Sequence, residues 1–301
     1  MKNNFCNKNK GSIMLKKRKM CREKQLRYRI VGSIILMAAA ICLTIVPMNK
    51  KVKSDGKKVE KSEVKAVSLM KESGYQAGKI IVERNENHIE KTVDPDKPMI
   101  ALTFDDGPGL RTTEILSVLE HYGARATFFM CGNSLSRADI NVESVLKKMD
   151  EIGCETSNHT MNHIQLNTLT VKNIKRQVRG VNRIIKSHTG HGAAGLRPPY
   201  GSGIHSKKVI NNVGLPMIYW SIDTLDWKTK SKKATVKAVL KQVRDGDIVL
   251  MHDIHTWSVD AAIELIPKLI KKGYQLVTVS EMAAARGVEL ENGKTYFSFY
   301  P

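Results

Sequence analysis

The chain has 301 residues, 42% of them apolar, and a formal net charge of +20. That length holds one large domain with a tail or two modest domains, and the apolar share excludes a wholly disordered chain. The charge is uneven: residues 1 to 29 carry seven Lys and four Arg against the single Glu23, half of the total, and the rest is spread over the other 272 residues.

Residues 1–29 read as a basic cytoplasmic tail. Directly behind them, Ile30 to Pro47, "IVGSIILMAAAICLTIVP", runs eighteen residues without a charge, about the length that crosses a bilayer as a helix. Apolar residues on all faces disfavour a buried core helix, and a basic flank holds the N-terminus in the cytoplasm. A cleavable signal peptide is the closer competitor, since "AAA" at 38–40 offers small residues to a protease, but these lie mid-run. Ile41 before Cys42 fits a lipoprotein cleavage site poorly. Residues 30–48 are therefore expected to be an uncleaved transmembrane signal anchor, and residues 49 onward to lie outside the cell. The basic tail also suits nucleic acid, but its place beside a membrane span makes the topological role the better account. The basic remainder suits an anionic environment such as phosphate-rich wall polymers.

Residues 49–97 are charged and lack a sustained apolar period, which predicts a stalk. The core, residues 98–301, alternates short β-like runs with helical segments. In order these are "MIALTF", a helix from Thr112, "ATFFMC", a helix over Val142 to Ile152, "CETSN", and a long helix from Thr170 to Ser187. Then follow "GLRPPY", a helix near Lys207, "PMIYWSI", a helix near Ala234, "DIVLMH", a helix from Val259, and "YQLVTV". About seven such alternations imply parallel strands, in either an open doubly wound sheet or a closed barrel. Both gather chemistry at the carboxyl ends of the strands. Of five cysteines only Cys131 and Cys154 fall in this body, and two buried thiols are preferred to a disulfide.

Chemically capable residues recur at those strand ends. "TFDDGP" sets Asp105 beside Asp106; "NHTMNH" carries His159 and His163; "RPPYG" carries Arg197; "DTLDW" carries Asp223, Asp226 and Trp227; "LMHDIH" carries His252. Adjacent carboxylates in a partly buried pocket need a cation or a division of roles. A spacing of four puts His159 and His163 on one side of a helical turn, and two imidazoles with one carboxylate make a three-donor site for zinc or a similar divalent ion. Such an ion activates water and polarises a carbonyl, which a free carboxylate base completes as amide or ester hydrolysis. His252 is the unassigned candidate for the acid that protonates a leaving nitrogen. Spacing alone leaves the two aspartates interchangeable, and Asp223 unassigned beyond a loop hydrogen bond.

These motifs, in this order over residues 98 to 290, resemble the polysaccharide deacetylases, carbohydrate esterase family 4. "IVLMHDIHTWSVDAAIELI" and "SIDTLDWK" look most like membrane-anchored bacterial peptidoglycan N-acetylglucosamine deacetylases. The resemblance implies a distorted (β/α) barrel of about seven parallel strands, preceded here by the one transmembrane helix. It divides the aspartates, with Asp105 as base and Asp106 as metal ligand beside His159 and His163. Arg197 would hold Asp105 ionised, and the Tyr200 N–H would meet the oxyanion. Asp226 would orient and charge His252, Pro198 and Trp227 would contact substrate, and Leu250 would line the acetyl-methyl pocket.

The resulting expectation is a metal-dependent hydrolase that removes N-acetyl groups from N-acetylglucosamine in cell-wall peptidoglycan. Zn2+ is the expected ion, with Co2+, Ni2+ or Mn2+ as substitutes. Alternatives are deacetylation of chitin oligomers, poly-N-acetylglucosamine exopolysaccharide or acetyl xylan, and an inactive member that only binds wall glycan. The expected partners are wall glycan and, through the N-terminal helix, the cell membrane in a single pass with the catalytic domain outside; neither nucleic acid nor an obligate protein partner is expected.

Overall fold

The protein is described from a computed structural model, in which residues 93–301 are described. The predicted tail, signal anchor and most of the stalk lie outside the described residues. Among the described residues, no helix is long and apolar enough to cross a membrane.

Strand β1 (Met99–Asp105) is buried along its whole length, as a parallel strand covered on both faces must be. It is the hub of the sheet. On one side it pairs with β2 (Thr127–Met130) and, at its amino end, with β7 (Gln275–Leu276); on the other it pairs with β6 (Ile248–His252). β3 (Glu155–Asn158) adds to β2, and β5 (Ile222–Asp223) adds to β6. All these ladders are parallel, as the alternating pattern requires.

Beyond β3 the wall continues through isolated parallel bridges, Asn158 to Leu196 and Leu196 to Met217, into β4 (Met217–Ile218), which pairs with β8 (Thr295–Tyr296). β8 and β5 thus stand at the two ends of the series. Residues 219–221, which join β4 to β5, cross the gap between them, and the isolated antiparallel bridge of Asp247, just before β6, with Ser298, just after β8, spans it as well, so the wall closes without a ladder at the seam. This is a distorted barrel. The predicted strand "GLRPPY" supplies only the Leu196 bridge before a 3₁₀ turn at Pro199–Gly201. The predicted strand "PMIYWSI" is broken into β4 and β5, because Tyr219 to Ser221 bend across the seam.

Helices cover the wall outside: α1 (Thr112–Tyr122), α2 (Gly132–Leu135), α3 (Val142–Glu151), α4 (Val171–Thr189), α5 (Lys207–Val213), α6 (Asp226–Thr229), α7 (Lys232–Gln242), α8 (Thr256–Lys271) and α9 (Val279–Ala285). Side chains of Asn141, Thr170, Ser206, Ser231 and Thr278 accept N-terminal backbone N–H groups and start five of them. Left-handed Gly123 and Gly190 stop α1 and α4. The main core lies between the sheet and α1, α3 and α8, with Phe104 stacked on Phe128 at 5.0 Å. A second cluster joins Met99, Phe129, Tyr296 and Phe299, and a third joins Ile174, Leu196, Val209 and Met217.

Residues 93–97, read as the end of the stalk, are tied to the body. Asp94 N–H donates to Gln275 Oε1 at 3.0 Å, Gln275 Nε2 donates back to Asp94 O, and Arg286 donates to Pro95 O. Cys131 and Cys154 are free buried thiols, and burial pushes the Cys154 thiol up to about 12.

Candidate active site

The seven-residue β1 delivers Asp105 as its last residue, and the chain turns at once into the left-handed region at Asp106 (φ 72°). That reversal sends the two neighbouring carboxylates different ways. Asp105 faces inward. Its Oδ1 accepts from Arg197 Nη1 at 2.7 Å, and Arg197 is wholly buried. The same guanidinium donates to Thr103 Oγ1 (2.7 Å), Ile218 O (3.1 Å) and Tyr219 O (2.8 Å), and lies 4.0 Å above the Phe129 ring. Burial raises the Asp105 carboxyl above its ordinary range, against the downward pull of Arg197 and His252. Burial likewise lowers Arg197, opposed by Asp105.

Asp106 turns toward two imidazoles. Its Oδ1 lies 3.5 Å from His159 Nε2 and 3.3 Å from His163 Nε2, and is buried without a hydrogen-bond donor. The donor atoms of the three residues lie within 4.8 Å of one another, the only such group of three among the described residues. His159 Nδ1 donates to Arg197 O at 2.7 Å; because a carbonyl only accepts, this fixes the tautomer and leaves Nε2 as a bare lone pair. Burial pushes His159 down to about 3, so the ring stays neutral. An orphaned carboxylate oxygen facing two imidazoles, one with its lone pair held inward, is what a divalent cation requires, so the residues fit one. The predicted helical turn is absent. His159 to His163 form a loop in which Thr160 (φ 68°) and His163 (φ 51°) are left-handed, and this brings the rings to 4.9 Å. Asn158 fastens the loop through Thr160 N–H, and Gln177 does so through Asn162.

His252 ends β6 and is the register partner of Asp105 on β1, which makes the two neighbours across adjacent strands. Its Nδ1 donates to Asp226 Oδ1 at 2.8 Å and its own N–H to Asp226 Oδ2 at 2.8 Å. Asp226 is fully buried and also accepts from Trp227 N–H (2.8 Å, Oδ1) and Ser258 Oγ (2.6 Å, Oδ2). Burial opposes the charged imidazolium, but the Asp226 bond and charge, with Asp105 and Asp106 behind them, outweigh it and raise His252 to about 9. Burial raises Asp226 as well, and its His252 and Ser258 bonds leave it below the ordinary range.

The remaining predicted residues lie on the same rim. The Tyr200 backbone is left-handed (φ 60°), and its ring, 66% exposed, sits 4.6 Å from that of His163. Trp227 is 49% exposed with its N–H held by Asp226; Pro198 is buried. Leu250, 5% exposed, is register partner to Thr103 and Asp223. Asp223 Oδ1 accepts Leu225 N–H, the loop role left open for it. Of the six non-glycine residues with positive φ among the described ones, Asp106, Thr160, His163, Tyr200 and Leu225 all lie in the segments that carry the site, where strain is characteristically held.

Sequence reasoning missed four contributors. Asp253 is buried, accepts from Thr112 Oγ1 at 2.5 Å, and is pushed by burial up to about 7. Its adjacency to His252 in "LMHD" was the available signal. Its carboxylate lies so close to Gly107 that a Cβ there would meet both oxygens at 2.4 Å. Ser258 and Trp257, which donates to Asp226 O, come from α8 and have no local signature. His255 stacks on Trp257 at 4.8 Å beside His252.

Comparison with known proteins gives the following likenesses. Residues 92–218 match the family described as polysaccharide deacetylase. Over 194 residues the chain is 42% identical to the peptidoglycan-N-acetylmuramic acid deacetylase PdaC of Bacillus subtilis, covering 64% of this chain and 40% of that one. The chain therefore spans about two fifths of that relative. It is 34% identical over 195 residues to a peptidoglycan-N-acetylglucosamine deacetylase of Bacillus cereus, covering 62% of this chain and 89% of that one. Among solved structures, a family 4 acetyl xylan esterase of Clostridium thermocellum in complex with cobalt superposes with a TM-score of 0.61 at 28% identity, covering 66% and 98% of the two chains.

Proposed function

The chain belongs to the polysaccharide deacetylase family, and on that premise we propose that it hydrolyses N-acetyl groups of N-acetylglucosamine units in cell-wall peptidoglycan, releasing acetate and a free amine. The observation that carries this reading is the convergence of three devices at one strand-end rim. These are the Asp106, His159 and His163 cluster, the Asp105–Arg197 pair, and the His252–Asp226 pair one strand away.

Asp106, His159 and His163 would hold the divalent cation, Zn2+ by preference for two imidazoles and one carboxylate, with Co2+, Ni2+ or Mn2+ as substitutes. When bound it supplies Lewis acidity, acidifying water and drawing electrons from a carbonyl oxygen. Asp105 takes the proton of the water whose oxygen bonds to the acetyl carbon. Arg197 keeps the ionised form of that base available while burial raises its affinity for the proton. The Tyr200 N–H meets the oxygen on which charge develops. His252, held charged by Asp226, gives its Nε2 proton to the nitrogen as the carbon–nitrogen bond breaks. Leu250 receives the acetyl methyl, and Trp227 and Pro198 contact the sugar. Support for a glycan comes from the rim: Leu110, Ile164, Tyr200, Leu225, Trp227 and Ile254 are exposed and each stands within four residues of a site residue.

A second reading is favoured by the identity to PdaC: the acetyl group removed is on N-acetylmuramic acid. Muropeptides from cells with and without the protein separate the readings, because free amines appear on one sugar or the other; unchanged acetylation on both defeats the proposal. Acetate release by the purified chain from peptidoglycan, chitin oligomers and xylan ranks the polymers. Chelation is expected to stop turnover and added divalent cation to restore it. The basic tail and the apolar run at 30–48 support single-pass anchoring with the body outside the cell. Cleavage of the body by protease added to intact cells checks this, and protection of the body would overturn it.

A further inference from the structure

Helix α4 carries a charge pattern that the catalytic reading does not use. Its sequence from Val171 to Thr189 has no acidic residue, and Lys172, Lys175, Arg176, Arg179, Arg183 and Lys186 are all exposed. These six cations, with Asn182 and Gly192, line one open hollow of about 680 Å³. None of their side chains forms a hydrogen bond or an ion pair with any described residue. Other surface cations do find partners, including Lys148 with Glu120, Lys268 with Glu264 and Arg286 with Asp245. Six unneutralised charges from Lys172 to Lys186, about 21 Å of helix, repel one another and raise the local concentration of anions.

We propose that this face of α4 is a docking surface for a linear polymer of phosphodiester anions. Three arginines occupy the middle of the row, and their forked guanidiniums match phosphate oxygens better than a point charge does, while lysines flank them at both ends. A flat lipid surface does not fill a hollow. Moreover α4 buries Ile174, Val178, Val181 and Ile185 in the core and leaves only Val171, at its first position, as an exposed apolar residue, too little to anchor the helix among acyl chains. No aromatic ring lines the hollow, so nucleobases have nothing to stack on. The helix also backs the loop that carries His159 and His163, through Gln177 on its buried face and through Asn182, which lines the hollow as well. Gln177 exchanges hydrogen bonds with Asn162, and Asn182 accepts from the side chain of Asn158, the residue before His159. A polymer held on the outside would therefore lie one helix thickness from the segment that carries His159 and His163.

The proposal stands apart from the deacetylase reading, because its test reads binding and not turnover. The full chain is labelled with an amine-reactive reagent, with and without poly(glycerol phosphate), and modification is read lysine by lysine. Lys172, Lys175 and Lys186 should be protected several-fold, while Lys233, Lys237 and Lys241 on α7, also exposed and without an ion pair among the described residues, stay reactive. Added salt should remove the protection, as expected for contacts that displace counterions. The triple variant Arg176→Gln, Arg179→Gln, Arg183→Gln changes only outward-facing side chains and should lose the protection at the three lysines. Equal labelling with and without polymer, or equal protection of both helices, overturns the proposal. So does stronger protection of the same lysines by a single-stranded oligonucleotide of equal charge or by phosphatidylglycerol vesicles.

Discussion

At the scale of single residues, the left-handed turn at Asp106 separates two carboxylates that the sequence places in contact, and their partners make them different. Asp105→Asn is expected to cut kcat by about 10³-fold while divalent-cation affinity, measured by calorimetric titration, is kept, because a general base contributes on that order. Turnover within a few-fold of the parent would remove Asp105 from the role of base. His252 gives a pH prediction. Its pKa is raised, so the protonated acid is present below about 9 and lost above it, and kcat should fall as pH rises through that value. Asp226→Asn removes the charge responsible. In a pH–rate profile the alkaline limb of that variant should move toward lower pH, and a limb that stays in place would separate the pair from the acid step. The same sign governs stability. The His252–Asp226 contribution is complete below the ordinary histidine pKa of about 6.5 and fades as pH climbs through about 9.

At the scale of elements, the loop after β1 is wedged against the one after β6. Gly107→Ala would place a methyl 2.4 Å from both Asp253 oxygens, so the loop must shift and take Asp106 with it. The expected result is a loss of about 1–3 kcal/mol in stability together with weakened cation binding; unchanged affinity in a cation titration would mean the loop adjusts elsewhere. The long helices were legible because each carries a sustained apolar period. α3 and α4 begin and end within two residues of their predicted bounds, and the side-chain caps explain the starts. The segment "PMIYWSI" reads as one strand where the structure has β4 and β5, and β8 and α9 have no counterpart in the sequence reading; such short elements carry too few residues for a period, and only some of them, such as α5 and β7, are marked by their place in the alternation. The site was legible through its paired and spaced residue types, Asp105 with Asp106 and His159 with His163. The contributions of Ser258 and Trp257 to Asp226 were not legible, since they arise from contacts some thirty residues apart along the chain. The structure does bring His159 and His163 together, but left-handed backbone, and not the expected helical turn, aligns the rings.

At the scale of the whole molecule, Arg197 reaches from the central strand at Thr103 and Asp105 to the carbonyls of Ile218 and Tyr219, where the wall closes without a ladder. The partner of the proposed base and the closure of the wall therefore share one side chain. Arg197→Ala leaves the Asp105 charge buried and alone, and the expected loss is about 3–5 kcal/mol in denaturant unfolding, in addition to the loss of turnover. A fully stable but inactive variant would confine the residue to the chemistry. The point at which the chain enters the body has a further consequence. Residues 94–97 are bound to Gln275 and Arg286 at the amino end of β1, and Asp105 lies at the other end of that strand, roughly 20 Å away. The chain thus enters the body at the end of β1 opposite Asp105, so under the anchoring proposed above the candidate site would face away from the point of attachment and would act on strands beyond it.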